Sequence, residues 1–116
     1  MTERPETRAV LVVEDDDGVR RAICRALMAV GCHAVMATSC AEARAQAGSF
    51  AIGVFDIQLG DGCGVELAAE LLRDGKIPRA IFFTGGADGT TLLRALKLGN
   101  VISKADGVET LARAVR

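Results

Sequence analysis

Apolar residues along this chain fall into two patterns, short continuous runs and segments with helical spacing. Five runs rich in Val, Ile, Leu, Phe and Ala have the length of strands, and they cover residues 8–13, 33–37, 51–59, 79–84 and 100–103. Near-continuous apolar runs are typical of strands that are buried on both faces of a parallel sheet. The chain is therefore expected to contain such a sheet.

The segments between these runs repeat their apolar residues every three to four positions, which predicts helices. The predicted helices cover residues 17 to about 30, 40–48, 64 or 65–73, 90–98 and 107–116. Gly31 suits the position just past the first helix, while Ser39 with Glu42 and Asp106 with Glu109 have capping-box spacing. Five strands that alternate with five helices predict an α/β fold, a doubly wound parallel sheet with helices on both faces.

Length and composition favour one domain over residues 1–116, with a polar lead-in at residues 1–7. The chain has 116 residues, half of them apolar, with no Trp or Tyr and four Phe, so aliphatic side chains and Ala must build the core. A net charge of −1 gives no general attraction to nucleic acid or membranes. No run reaches membrane-spanning length and the start lacks the apolar centre of a secretory signal, so we expect a cytoplasmic protein.

The four cysteines form no C-x-x-C pair, and His33 is the one histidine, so the sequence contains no Cys/His cluster typical of zinc. An even number of cysteines would allow disulfides, but a domain of this size does not need them. We expect free thiols that pack as small apolar groups. The cysteines are Cys24, Cys32, Cys40 and Cys63.

Polar side chains follow four of the five predicted strands. They are Glu14 and Asp15 after the first, Asp56 at the end of the third, Thr84 at the end of the fourth and Lys104 after the fifth. The carboxyl ends of parallel strands share one edge of a sheet, where ligands bind. Converging carboxylates repel one another unless a cation is shared, and Mg²⁺ prefers such oxygen ligands. A lysine and a hydroxyl suit phosphate oxygens, so the set indicates a phosphoryl-transfer site.

Each of these residues also has a simpler interpretation. An acid after a strand often caps the next helix, which we expect of Asp16 or Asp17. Lys104 alone would be a solvated lysine and Thr84 alone a turn residue, but their registry with Asp56 favours a shared site. The arginines of the first helix are expected to form a solvated face. The glycines at 60, 62 and 64 resemble part of a dinucleotide fingerprint, but Val65 takes the place of its third glycine.

The motifs at the strand ends resemble those of response-regulator receiver domains of two-component signalling, from residue 8 to the C-terminus. The acidic pair Glu14-Asp15 follows the first strand, Asp56 stands in Phe-Asp-Ile-Gln-Leu, Thr84 precedes Gly-Gly-Ala, and Lys104 follows Ser. The resemblance implies a flavodoxin-like sheet with strand order 2-1-3-4-5, as in the chemotaxis regulator.

The resemblance also implies roles for these residues. Asp56 would accept a phosphoryl group from a histidine kinase or a histidine phosphotransfer protein, and Thr84 and Lys104 would contact its oxygens. Mg²⁺ would be held by Glu14, Asp15, Asp56 and the backbone carbonyl of Gln58. The protein would catalyse only its own phosphorylation and dephosphorylation. The output would come from the face formed by the fourth helix, fifth strand and fifth helix. Its target would be an unknown protein, and phosphorylation could cause dimerisation. The domain would not bind nucleic acid directly.

Several positions depart from the family pattern. Val101 replaces a usual aromatic residue, Ala105 replaces the proline after the lysine, and Gly60 stands where a proline is common. A degenerate receiver that acts as a constitutive binding module is therefore one alternative. A phosphatase of the haloacid-dehalogenase kind is another, but that class has a second Asp where this chain has Gln58.

Overall fold

The structure is a computed structural model that describes residues 8–116, so the lead-in predicted at residues 1–7 lies outside the described residues. Its centre is a sheet of five parallel strands in the order β2-β1-β3-β4-β5. The strands are β1 (Arg8–Val13), β2 (Cys32–Ala37), β3 (Ile52–Phe55), β4 (Ala80–Thr84) and β5 (Gly99–Ser103). The predicted fold class and strand order are confirmed.

Five helices connect and cover the strands. They are α1 (Asp17–Ala29), α2 (Cys40–Ala45), α3 (Gly64–Arg73), α4 (Gly89–Leu98) and α5 (Val108–Val115). Asp16 begins α1 by accepting a hydrogen bond of 2.9 Å from the backbone N–H of Val19, which confirms one of the two capping acids that we expected. Among residues 8–116, no helix is both long and apolar enough to cross a membrane.

The core lies on both faces of the sheet because successive strand residues point to opposite sides. In β1, Val10 and Val12 join the cluster beneath α1 and α5, whereas Leu11 and Val13 join the cluster beneath α2 and α3. This arrangement explains why the central strands are apolar without alternation. It also leaves the carboxyl ends of β1, β3 and β4 as neighbours at one edge of the sheet.

The helix α2 ends at Ala45, three residues before the end that we predicted at Gly48. Lys76 donates hydrogen bonds to the carbonyl oxygens of Arg44 and Gln46, at 3.3 Å and 3.2 Å. A side chain from a distant part of the chain therefore satisfies carbonyl groups at the helix end, and the backbone becomes extended at Gln46.

The capping box that we predicted at Asp106 and Glu109 is wrong. Residues Lys104–Asp106 form a single 3₁₀ turn, and Gly107 occupies the capping position with a φ of 87°. Glycine adopts this conformation without the steric cost that other residues meet. The backbone carbonyl of Asp106 instead accepts a hydrogen bond of 2.8 Å from the Thr110 hydroxyl.

The apolar run at residues 51–59 is not one strand. β3 ends at Phe55, and residues Gln58–Leu59 pair with Gly62–Cys63 in a short antiparallel hairpin. This break leaves Asp56 just beyond the end of β3, where it is 8% exposed. The hairpin then leads directly into α3.

Candidate functional site

Three carboxylates meet at the carboxyl edge of the sheet. Glu14, Asp15 and Asp56 each place one oxygen within 4.8 Å of the others, and we call these residues the acidic cluster. The backbone N–H of Glu14 donates to Ala37 at 3.1 Å, and that of Asp56 donates to Val13 at 2.9 Å. The hydrogen bonds of the sheet thus continue past the strand ends and fix both backbones.

Lys104 contacts two members of the acidic cluster. Its Nζ lies 3.0 Å from Oε1 of Glu14 and donates a hydrogen bond of 3.1 Å to Oδ2 of Asp56. Burial lowers the pKa of Lys104, but the two carboxylates outweigh this effect and hold the pKa above its usual value. The side chain is therefore a cation beside Asp56.

Glu14 is the most deeply buried acid of the cluster, with 1% of its surface exposed. Burial, together with the negative charge of Asp56, raises its pKa to about 7, although Lys104 and the backbone N–H of Asp16 oppose the shift. Its Oε1 is buried and accepts no hydrogen bond of good geometry, despite the nearby ammonium group. Burial, rather than repulsion between the carboxylates, is the largest cause of this raised pKa.

These residues suit a hard divalent cation. The cluster supplies oxygen donors only, which is the chemistry that Mg²⁺ prefers, and the buried Oε1 of Glu14 makes no hydrogen bond. Asp15 is exposed and so leaves one side of the cluster open to solvent. Gln58, whose carbonyl we also expect at the metal, begins the hairpin two residues after Asp56.

Gly64 allows the start of α3 to pack directly against the backbone of Asp56. A Cβ atom at this position would lie 1.8 Å from the carbonyl oxygen of Asp56, which no side chain tolerates. The backbone N–H of Gly64 also donates a hydrogen bond of 2.7 Å to the carbonyl of Ile57. The position of Asp56 therefore depends on a glycine that the sequence marked only as a possible start of the third helix.

Thr84 lies at the same edge, but its hydroxyl is directed to its own loop. Oγ1 accepts a hydrogen bond of 3.1 Å from the backbone N–H of Gly86 and donates one of 3.2 Å to the carbonyl of that residue. A cavity of about 340 Å³ lies beside it, lined in part by Leu92 and Val101. The structure thus brings Lys104 to the acidic cluster, and it holds the Thr84 hydroxyl within the β4–α4 loop.

Two further residues support the site and were missed in the sequence. The side chain of Arg20 is only 12% exposed, pairs with Asp17 and donates a hydrogen bond of 3.1 Å to the carbonyl of Glu14. The prediction that the arginines of the first helix form a solvated face is therefore wrong for Arg20. Asp61 in the hairpin accepts the first two backbone N–H groups of α2, from Cys40 at 2.8 Å and Ala41 at 3.0 Å. No local sequence signal reveals either contact.

The chain belongs to the family of response regulator receiver domains, whose pattern it matches over residues 10–116. It is therefore a receiver domain of the kind found in two-component systems. A curated relative, the acid tolerance regulatory protein ActR of Sinorhizobium medicae (strain WSM419), is 32% identical over 114 residues, which cover 94% of this chain. The chain spans 59% of the length of that relative.

Solved structures agree with this assignment. A CheY-like receiver domain protein from Methanospirillum hungatei JF-1 is 27% identical, with a TM-score of 0.80 over 95% of this chain and 91% of its own. A response regulator from Burkholderia pseudomallei, described with a phosphorylated aspartic acid, calcium ion and citrate, is 28% identical. Its TM-score is 0.80 over 94% of this chain and 66% of its own.

Proposed function

We propose that this receiver accepts a phosphoryl group on Asp56 and changes its surface in response. The observation that carries the proposal is the contact of Lys104 with Oδ2 of Asp56 inside a cluster of three carboxylates. Phosphoryl transfer requires a positioned nucleophile and cations that neutralise the charge on the transferred group. The phosphorylated aspartic acid described for the Burkholderia pseudomallei relative supports the same chemistry here.

In this proposal, a carboxylate oxygen of Asp56 attacks the phosphorus of a phosphohistidine in a histidine kinase or phosphotransfer protein. The P–O bond to Asp56 forms as the P–N bond to the imidazole breaks, and the histidine leaves. Lys104 moves its ammonium contact from the carboxylate to a phosphoryl oxygen. Hydrolysis of the acyl phosphate later returns Asp56 and releases inorganic phosphate.

Glu14, Asp15, Asp56 and the carbonyl of Gln58 are the proposed ligands of Mg²⁺. The bound ion would neutralise charge on the phosphoryl oxygens during transfer. Glu14 contributes a buried oxygen without a hydrogen bond, and Asp15 contributes an exposed carboxylate through which the site can exchange with solvent. Arg20 holds the backbone carbonyl of Glu14 and so orients this part of the site.

The proposed response begins at Thr84. A phosphoryl group carries a charge of about −1.5 to −2, which would attract the hydroxyl away from Gly86 and draw the β4–α4 loop inward. The face of α4, β5 and α5 would then change population and reach an unknown protein target. A constitutive binding module would instead keep this face unchanged. A phosphatase of the haloacid-dehalogenase kind is disfavoured because this chain has Gln58 where that class has its second Asp.

The decisive experiment is intact-mass measurement after incubation with acetyl phosphate and Mg²⁺. We expect the mass of one phosphoryl group to be added, and to be absent in Asp56→Asn and in the presence of a chelator. Asp74→Asn, at an exposed acid after α3, is the matched control and should retain the gain. Uptake that persists in Asp56→Asn would contradict the proposed acceptor.

A second measurement separates the receiver from a constitutive module. Amide hydrogen exchange of α4 and β5 should change on phosphorylation in the native protein. A Lys104→Ala variant is expected to accept phosphate and yet show little of this change, because the cation that links β5 to the phosphoryl group is missing. Identical exchange with and without phosphate would favour the constitutive module.

A further inference from the structure

A groove between α1 and the β2 edge of the sheet collects most of the sulfur-containing side chains. It has a volume of about 500 Å³, and five of its lining residues are Cys24, Met28, Cys32, His33 and Met36. Within residues 8–116, only Cys40 and Cys63 among the cysteine, methionine and histidine residues lie elsewhere. The remaining lining residues, Gly31 and Ala34, add no charge. This groove is therefore a concentration of soft donor atoms.

The sulfur donors lie on α1 and β2, and on each element a cysteine precedes a methionine by four residues. Cys24 and Met28 are four residues apart on α1 and so share one face of the helix. Cys32 and Met36 are four residues apart on β2 and so share one face of the strand. Each side of the groove thus presents one thiol and one thioether, and both thiols are free.

The exposed fractions of these side chains show that solvent reaches the groove. Met28 is 69% exposed and Met36 is 50% exposed, whereas Cys24 is half-buried and Cys32 is buried. Exposed methionines do not contribute much to the core, and their three rotatable bonds let the thioethers move toward a ligand. The two thiols are therefore less exposed than the two thioethers.

We propose that this groove binds a soft monovalent cation of the Cu(I) type, with Cys24 and Cys32 as thiolate ligands and Met28 and Met36 as supporting thioethers. Thiolates and thioethers select Cu(I), whereas the oxygen donors of the acidic cluster select hard cations. No redox step is involved, because each thiol that binds the metal only releases a proton. The site is separate from the proposed phosphoryl-transfer site.

Two structural facts define what binding requires. In residues 8–116, the acidic cluster is the one set of three carboxylate, thiol or imidazole donors already within 4.8 Å of one another, so the groove must draw its ligands together. Burial also raises the pKa of the Cys24 thiol, although Arg20 opposes the shift. Affinity is accordingly expected to increase with pH, since the ligand is the thiolate.

The test titrates the reduced full chain with Ag(I), a probe without redox chemistry, and then with Cu(I) kept reduced by ascorbate and competed against a coloured chelator. We expect one ion per chain. Cys24→Ser and Cys32→Ser should each lower the affinity by at least the roughly 10- to 100-fold that loss of a supporting contact costs a metal site. Cys63→Ser and Cys40→Ser are controls of matching burial outside the groove and should leave the affinity unchanged.

Two further measurements keep the test independent of folding defects. Met28→Leu with Met36→Leu conserves volume and keeps all thiols, and it should weaken binding without loss of the native circular dichroism. Bound Ag(I) should also protect Cys24 from iodoacetamide while half-buried Cys63 continues to react. Equal protection of both cysteines, no binding at one equivalent, or binding that survives Cys24→Ser would overturn the proposal.

Discussion

The acidic cluster and the β4–α4 loop share one edge of the sheet, but the structure holds them differently. The backbones of Glu14 and Asp56 continue the sheet hydrogen bonds, and Lys104 contacts both carboxylates. Thr84, in contrast, bonds its hydroxyl only to Gly86, and nearby α4 exposes two large apolar side chains, Leu93 and Leu96. The groups proposed for chemistry are fixed in advance, whereas those proposed for the response are held by contacts that are easily exchanged.

This difference has an energetic side. Burying Glu14 beside Asp56 works against folding, because carboxylates lose hydration and repel each other. The Thr84 hydroxyl makes two hydrogen bonds of the ordinary kind, which together contribute about 1 kcal/mol. The acidic cluster thus stores unfavourable energy that a bound cation would relieve, while the loop needs little energy to change its partners.

Replacement of Lys104 should have the largest effect on stability. Lys104→Met removes the cation between Glu14 and Asp56, and we expect the metal-free protein to lose on the order of 3 kcal/mol of unfolding free energy at pH 8. Less should be lost at pH 5, where Glu14 can take up a proton. Urea unfolding at both pH values measures this, with Lys97→Met on exposed α4 as the control. Equal losses at both pH values would mean that Lys104 acts through packing.

Gly64→Ala should have the next largest effect on stability. The new Cβ would meet the carbonyl oxygen of Asp56 at 1.8 Å, so the start of α3 must move. We expect a loss of about 1–3 kcal/mol in unfolding free energy, together with weaker Mg²⁺ binding. Gly60→Ala, at a site with nothing within 4 Å, is the matched control for urea unfolding and metal titration. Similar results for both variants would show that the close approach at Gly64 is unimportant.

The pKa of Glu14 gives the acidic cluster a pH dependence of known sign. The folded protein holds this proton more tightly than the unfolded chain, so stability should fall as pH rises from 4.5 to about 7 and then remain level. Glu14→Gln should remove this fall and raise the unfolding free energy at pH 8 by on the order of 2 kcal/mol without metal. Thermal unfolding across this range tests it, and parallel curves for both proteins would contradict it.

The same proton should compete with Mg²⁺. Affinity for the ion is expected to rise through about pH 7 in the native protein, because the metal ligand is the ionised carboxylate. Calorimetric titration at pH 6 and pH 8 provides the comparison. Constant affinity would indicate that Glu14 does not contact the ion.

Replacement of Thr84 should have the smallest effect on stability and should test the role of the β4–α4 loop most directly. Thr84→Ala removes two hydrogen bonds to Gly86, so we expect a loss of about 1 kcal/mol and unchanged uptake of phosphate. The change in α4 hydrogen exchange on phosphorylation should disappear, and Thr84→Ser should retain it. A full response in Thr84→Ala would place the coupling elsewhere.

Sequence patterns predicted those parts of the molecule that depend on local order. The apolar runs gave the strands, and the position of an acid directly after β1 or β3 gave the acidic cluster, because strand polarity alone places both at one edge. The capping role of Asp16 was equally local, since its side chain reaches only to Val19.

The features that escaped prediction depend on distant partners. Lys76 ends α2 from more than 30 residues away, and Asp61 caps the same helix from 21 residues away. Two other features escaped prediction because they depend on local backbone conformation. The capping box predicted at Asp106 had the right residue spacing, but that segment forms a 3₁₀ turn, and Gly107 occupies the capping position instead. Where the Thr84 hydroxyl points is likewise decided by a loop conformation, which spacing does not define.

The cap that Asp61 provides also bears on the order in which the chain folds. A helix of six residues cannot nucleate by itself, and the first two amides of α2 are bonded to a carboxylate that arrives later in the chain. The helix α2 should therefore form only after the hairpin beyond Asp56 has formed. Its amides should also exchange at the rate at which that hairpin opens, which makes α2 a kinetic reporter of the segment next to the proposed phosphoryl-transfer site.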